Sequence, residues 1–199
     1  MSRWMLFMVA SLLAGWSWTD RSWADADLLA SLGERSREIT HLQGRFEQQK
    51  KITVLPAPLV SSGRFALEQG QSIEWQLLEP VQQTIRLSPG GITLEAAGKT
   101  SGALGDAMPA QGAETLTRVF MAVVSGEWRT LRDYFDITAT GEPDAWQLVL
   151  TPRSPGLAAY IRQIDIRGGE FTDQLDIAEA NGDSTRIRLF IDKAVRRQP

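Results

Sequence analysis

Two long stretches of this chain place an apolar side chain at every second position, a period that strands satisfy and helices do not. In the first, Leu42, Gly44, Phe46 and Gln48 alternate with Gln43, Arg45, Glu47 and Gln49. Gly63, Phe65 and Leu67 then alternate with Arg64, Ala66 and Glu68, and Ile73, Trp75 and Leu77 with Glu74 and Gln76. Thr84–Ser88 carries Ile85 and Leu87, and Pro89-Gly90-Gly91 turns the chain into Ile92–Glu95. The second stretch predicts strands over Trp146–Leu150, Tyr160–Arg167, Gln174–Ala178 and Ser184–Ile191. Glu68–Ser72 and Asn181-Gly182-Asp183 have the composition of hairpin turns. Short links and one apolar face per strand predict an antiparallel meander with one sheltered side.

Elsewhere the apolar spacing is helical. Leu28, Leu29, Leu32 and Ile39 predict a helix over Asp25–Thr40, with Asp25 or Asp27 as its cap. Leu116, Val119, Phe120 and Val123 form one stripe of a helix over Glu114–Val124, ended by Gly126, and Trp128–Tyr134 predicts a second, short one. Ala96–Gly112, rich in Gly, Ala and small polar residues, is expected to be a mobile loop. No internal repeat and no second domain are visible. Strands and helices segregate along the chain, which predicts an α+β domain: a curved antiparallel sheet covered on one side by a few α-helices. Such an arrangement can enclose a ligand.

At the N-terminus, Arg3 precedes an apolar run from Trp4 to Trp18 that only Ser11 and Ser17 interrupt. Small residues follow at Ser22, Ala24 and Ala26. This is the pattern of a secretory signal peptide over residues 1–24, with cleavage after 24 or 26. The run of about 15 residues is short of the ~20 needed to span a bilayer. Cleavage after Ala24 leaves 19 basic and 23 acidic residues, a net charge of −4 against −3 for the whole chain. Residues 25–199 are then expected to form a single exported domain, periplasmic, soluble and monomeric. Charges of both signs are interspersed, which argues against a nucleic-acid partner. The absence of cysteine excludes disulfides, a thiol nucleophile and a lipidated N-terminal cysteine.

Catalytic chemistry finds little foothold. The single histidine, His41, lacks partners identifiable in sequence and reads as an exposed or capping residue. With one histidine and no cysteine a metal site is not expected, and no cofactor is implied. Gly90-Gly91 and Gly168-Gly169 lack the lysine and following helix of a phosphate loop. Ser125-Gly126 and Ser154-Pro155-Gly156 form no nucleophile elbow. Asp133 and Asp136 read as solvated turn residues, and the basic tail of Lys193, Arg196 and Arg197 as a solvated end. The recurrence of Gly-Arg-Phe at 44–46 and 63–65 reads as a coincidence of short strands. More informative are the apolar side chains. Phe46, Phe65, Leu67, Trp75, Leu77, Leu87, Phe120, Trp146 and Leu148 are candidate walls of a lipid-binding cavity. Each buried methylene of a ligand is worth about 0.8 kcal/mol, so acyl chains need no charged contact. Composition does not separate such a cavity from a packed core.

The order of motifs adds a further constraint. A helix leads into Leu42-Gln43-Gly44-Arg45-Phe46-Glu47-Gln48; Ser62-Gly63-Arg64-Phe65, Ile73-Glu74-Trp75 and Glu79-Pro80 follow. Then come Leu116–Ser125, Gly126 with Leu131–Phe135, the segment Trp146–Pro152 and Asn181–Thr185. In this order, from roughly Asp25 to Ile191, the chain resembles the periplasmic outer-membrane lipoprotein carrier family, LolA-like. The resemblance implies an incomplete β-barrel closed by helices, without enzymatic activity. Its apolar cavity would accept the acyl groups of a lipoprotein or other lipid cargo, moved from an inner-membrane transporter to an outer-membrane acceptor. Carriers of this family have an arginine-proline pair after the second strand, whose arginine latches the lid. Glu68-Gln69-Gly70 stands there instead. That departure implies a different opening and admits cargo such as a glycolipid or lipid-like metabolite exported by a dedicated transporter. A lipid- or lipoprotein-sensing interaction module with the same fold is the alternative.

Overall fold

Eleven antiparallel strands form one sheet in the computed structural model, which describes residues 20–88, 91–96, 99–102, 122–123 and 125–197. A helix, α1 (Asp20–Glu38), leads into β1 (Ile39–Lys51), β2 (Leu59–Glu68), β3 (Ser72–Glu79), β4 (Gln83–Ser88), β5 (Gly91–Ala96) and β6 (Lys99–Gly102). After the short α2 (Trp128–Leu131) come β7 (Phe135–Glu142), β8 (Ala145–Pro152), α3 (Pro155–Ala158), β9 (Ile161–Gly168), β10 (Thr172–Glu179) and β11 (Ser184–Arg196). The spatial order is β6-β5-β4-β3-β2-β1-β11-β10-β9-β8-β7. Two meanders thus meet where the first strand pairs with the last, and β6 and β7 are the edges of an unclosed sheet.

Alternation places the apolar residues on one face, and the registers align them in rows across strands. Ala139, Leu148, Ile166, Leu175 and Ile187 face one another in succession from β7 to β11, and all are buried. Phe46 of β1 continues the apolar face beside Leu189 of β11 and Gly63 of β2. Register shifts in the β1–β11, β2–β3 and β9–β10 pairs supply the local bends by which a sheet curves around its contents. Helix α1 crosses the sheltered side, packing on β7, α2 and β1 and burying Leu28, Leu29 and Leu32 in the common core.

Several expectations shift. Helix α1 ends at Glu38 because Ile39 already pairs with Arg196 in the sheet. It begins at Asp20, and no Gly or Pro in residues 20–27 interrupts it, so positions 24 and 26 fall within its first two turns. Strand β7 lies outside the strands that alternation predicts, since Thr138, Ala139 and Thr140 blur its pattern. Lys99–Gly102, expected to be mobile loop, pairs with β5 as an edge strand; most of the remaining expected loop lies outside the described residues. So does most of the Glu114–Val124 helix, of which Ala122 and Val123 are described and helical. The short helix at Trp128 is present but stops at Leu131. Ser154, unremarkable for catalysis, caps α3: its Oγ accepts the Leu157 N–H at 3.2 Å, with Pro155 in the first turn. The basic tail is no loose end. Lys193 and Arg196 are exposed but belong to β11, with Arg197 just past its end, and Arg196 bridges Glu38 at 3.1 Å and Glu170 at 2.7 Å.

Candidate functional site

The two Gly-Arg-Phe segments, taken in sequence as coincidence, lie directly opposite each other. The β1–β2 register pairs Gly44 with Phe65, Arg45 with Arg64 and Phe46 with Gly63. Each phenyl ring therefore covers the glycine of the other strand. A Cβ at Gly63 would stand 2.8 Å from the Phe46 ring, and one at Gly44 would stand 3.0 Å from the Phe65 ring. Relieved of side chains beneath them, the rings lie flat and stack: Phe46 on Trp75 at 3.8 Å with a 23° interplanar angle, and Phe65 on Trp75 at 6.0 Å. Trp146 uses the same device on Gly168, whose Cβ would meet it at 2.7 Å. Its Nε1–H donates to the Gly169 carbonyl at 2.8 Å, and its ring meets Trp128 edge-on at 5.6 Å. The two arginines face outward, where Arg45 pairs with Asp192 at 3.2 Å and lies 5.8 Å above the Phe190 ring.

These contacts decide what the anticipated wall residues do in this state. Phe46, Phe65, Leu67, Trp75, Leu87, Trp146 and Leu148 are all buried in one continuous core, and Leu77 packs half-buried against it. Phe120 lies outside the described residues. Space is left at the end covered by α1, where a cavity of about 40 Å³ remains. Of the anticipated residues Phe65, Leu67 and Trp146 line it. Leu32, Arg35 and Ser36 of α1, Ile39 and Leu42 of β1, and Leu189 and Ile191 of β11 complete one side. Gln69, Ser125, Gly126, Trp128 and the Glu170–Thr172 turn complete the other. None of these was singled out in sequence as a wall, although apolar periodicity had marked Leu32, Ile39 and Leu42. At about 10–15 Å³ per enclosed water the cavity admits a small polar group, not an acyl chain.

Polar atoms concentrate around it. Arg35 donates from Nη1 to the Pro143 carbonyl at 2.8 Å and to Asp144 at 2.9 Å, fastening α1 to the β7–β8 turn. Ser36 Oγ donates to the Leu32 carbonyl at 3.0 Å. Gly126, at φ +69°, sits so close to Ser36 that a Cβ would collide with its hydroxyl. Gln69 Oε1 and Trp128 Nε1 are buried and have no hydrogen-bond partner among the described residues. Among the described residues, nothing around the cavity assembles an acid–base pair. His41 is exposed, with Nδ1 3.9 Å from Glu68 across the strands, and Asp136 is taken up by Arg153 at 2.8 Å. Among the described residues no group of three or more acidic, His or Cys side chains could hold a metal. Nor is any described helix long and apolar enough to cross a membrane.

The outer face carries a charged ladder instead. Asp176 accepts hydrogen bonds from Arg186 and Gln174 and lies 3.2 Å from Arg167. Partial burial pushes its carboxyl pKa up, but the hydrogen bonds from Arg186 and Gln174 and the two guanidinium charges outweigh that and hold it below the ordinary value.

A family model described as "Outer membrane lipoprotein carrier protein LolA-like" matches residues 26–189. No curated protein matches the chain. Among solved structures the chain is similar to a LolA superfamily protein from Nitrosomonas europaea, at 11% identity over 86% of this chain and 94% of that one, with a TM-score of 0.45. MucB aligns at 16% identity over 88% of this chain and 60% of its own, with a TM-score of 0.49. A putative outer membrane lipoprotein-sorting protein domain from Vibrio parahaemolyticus aligns at 7% identity over 88% and 93%, with a TM-score of 0.47.

Proposed function

The chain belongs to the LolA-like outer membrane lipoprotein carrier family, and from that premise we propose that it is a periplasmic carrier. It takes the acyl chains of a lipoprotein or other lipid against the concave face of its sheet, receives them from an inner-membrane transporter and yields them to an outer-membrane acceptor. The observation that carries this reading is the unbroken apolar face. Rows of buried side chains run across both meanders, and a cavity already opens beneath the helix that covers one end. Phe46, Phe65, Leu67, Trp75, Leu77, Leu87, Phe120, Trp146 and Leu148 would be its walls once loaded.

Loading requires movement, because about 40 Å³ is far too little for an acyl chain. Helix α1 is suited to yield. Polar clasps at Arg35 and Glu38 fasten its C-terminal half, and breaking such exposed contacts costs about 1 kcal/mol each. The apolar contacts it gives up would be replaced by those of the ligand, at about 0.8 kcal/mol per methylene. Titration of the leaderless protein with a fluorescent fatty acid tests the reading. Saturable uptake at one site, displaced by phospholipid, is the expected result; no uptake at micromolar protein would contradict it.

A further inference from the structure

We propose that the tip of the β1–β2 hairpin is a docking surface for a phospholipid bilayer, at the far end of β1 from the cavity that Ile39 and Leu42 line. The inference stands apart from the carrier reading. Of the eight large apolar side chains exposed among the described residues, five crowd this one place: Val54, Leu55, Leu59, Val60 and Val81. The registers bring them together. Lys50 pairs with Leu59 and Ser62 with Glu79, so the loop over 52–58 and the turn at Pro80 and Val81 leave neighbouring strands at the same end of the sheet. Val54 is 86% exposed and Val81 67%, as side chains that project into water must be.

The loop is held in place. Thr53 donates to Asp183 from its backbone N–H at 2.8 Å and from its hydroxyl at 3.1 Å, and the Leu55 N–H donates to the Ile52 carbonyl at 2.9 Å. Lys50 is tied to Glu179 at 2.9 Å, and Pro56 and Pro58 restrict the backbone between. Ordering a loop costs entropy, and its apolar side chains repay none of that until something covers them. Area selects what does. Together the five side chains expose on the order of 500 Å², a patch of functional size but short of the ~800 Å² per partner of a stable protein interface. Insertion among lipid headgroups needs no matching surface and gains from each apolar side chain separately. Basic residues flank the tip. From Gln48 to Leu67 the chain has no acidic residue and carries Lys50, Lys51 and Arg64. Lys51 is exposed and forms no ion pair among the described residues, so its ammonium is available to phosphate groups. Glu79, exposed beside the Val81 turn, opposes it.

The chain has no cysteine, so Val54→Cys gives one labelling site for an environment-sensitive fluorophore. Mixed with vesicles of phosphatidylcholine and phosphatidylglycerol in equal parts, leaderless protein labelled there should show brighter, blue-shifted emission. A label at Phe190→Cys, on the outer face of the sheet, should show neither. Cosedimentation of unlabelled protein with the same vesicles gives the affinity. Val54→Asp should weaken it roughly tenfold. Lys51→Gln should weaken it roughly fivefold and Glu79→Gln strengthen it, both only where phosphatidylglycerol is present. All three side chains are exposed, so urea denaturation should stay unchanged. No vesicle binding, or binding that Val54→Asp leaves intact, would overturn the bilayer surface. So would a dimer in solution that Val54→Asp dissolves, which assigns the tip to a second copy of the chain. The carrier reading falls separately, by a failure to take up fluorescent fatty acid while vesicle binding persists.

Discussion

A methyl group at Gly63 would stand 2.8 Å from the Phe46 ring and press on the Gln76 carbonyl. Neither neighbour can give way without disturbing the stack on Trp75. Gly63→Ala should therefore destabilise the protein by about 1–3 kcal/mol, the usual effect of forcing volume into a packed core. Gly156→Ala is the matched control. Nothing lies within 4 Å of a Cβ there and the residue is helical, so stability should hold or rise by about 0.5–1 kcal/mol. Phe46→Ala, which removes a fully buried ring, should cost about 3–5 kcal/mol. Urea denaturation ranks the three. At this scale the sequence was partly legible. Alternation identified Phe46, Phe65, Trp75 and Trp146 as inward-facing, because a period of two permits one side only. It did not reveal that each Phe of the Gly-Arg-Phe pair sits over the other's glycine, since that depends on register. Nor did it mark Trp128 and Leu189 as neighbours in one cavity, since they are brought together only when β11 meets β1.

Among the elements, α1 is the one that the carrier reading requires to move, since it packs on β7, α2 and β1. Its Arg35 is tied to the β7–β8 turn through the Pro143 carbonyl and Asp144. Arg35→Ala should speed fatty-acid uptake by roughly threefold to tenfold, while urea denaturation changes by no more than about 1 kcal/mol. Stopped-flow fluorescence measures the first quantity. A second element-level test concerns β9, β10 and β11, joined outside the core by Asp176. Its carboxyl is held below the ordinary 3.8, so the folded state keeps it ionised where the unfolded chain would protonate it. That contribution is fully present above the ordinary value and is lost as pH falls through the folded value. Asp176→Asn should remove this part of the acid dependence, costing about 1 kcal/mol at neutral pH and progressively less in acid. The elements most easily missed were those with weak apolar content. Lys99–Gly102 contains no apolar side chain to alternate, and β7 interleaves Ala139 with threonines. Both are edge strands, where one side needs no pairing and the hydrophobic pattern relaxes.

For the whole molecule, curvature joins these details to function. Two meanders joined at β1 and β11 give one apolar interior without closing the sheet, and the unclosed edge is where α1 meets β7. Segregated strands and helices made that architecture legible from the chain alone, as did the motif order shared with the LolA-like family. The packing state was not legible, because a core and a loaded cavity call for the same residues. The structure shows a packed interior, with aromatic rings filling one another's space. On the carrier reading, this interior exchanges its own packing for acyl chains. Native mass spectrometry of the protein isolated from periplasm, followed by extraction of whatever accompanies it, tests for this exchange. The expected result is a population heavier by one lipid or lipopeptide, whose extracted component bears at least one acyl chain. A uniformly unliganded protein that also refuses fatty acid after refolding would contradict it.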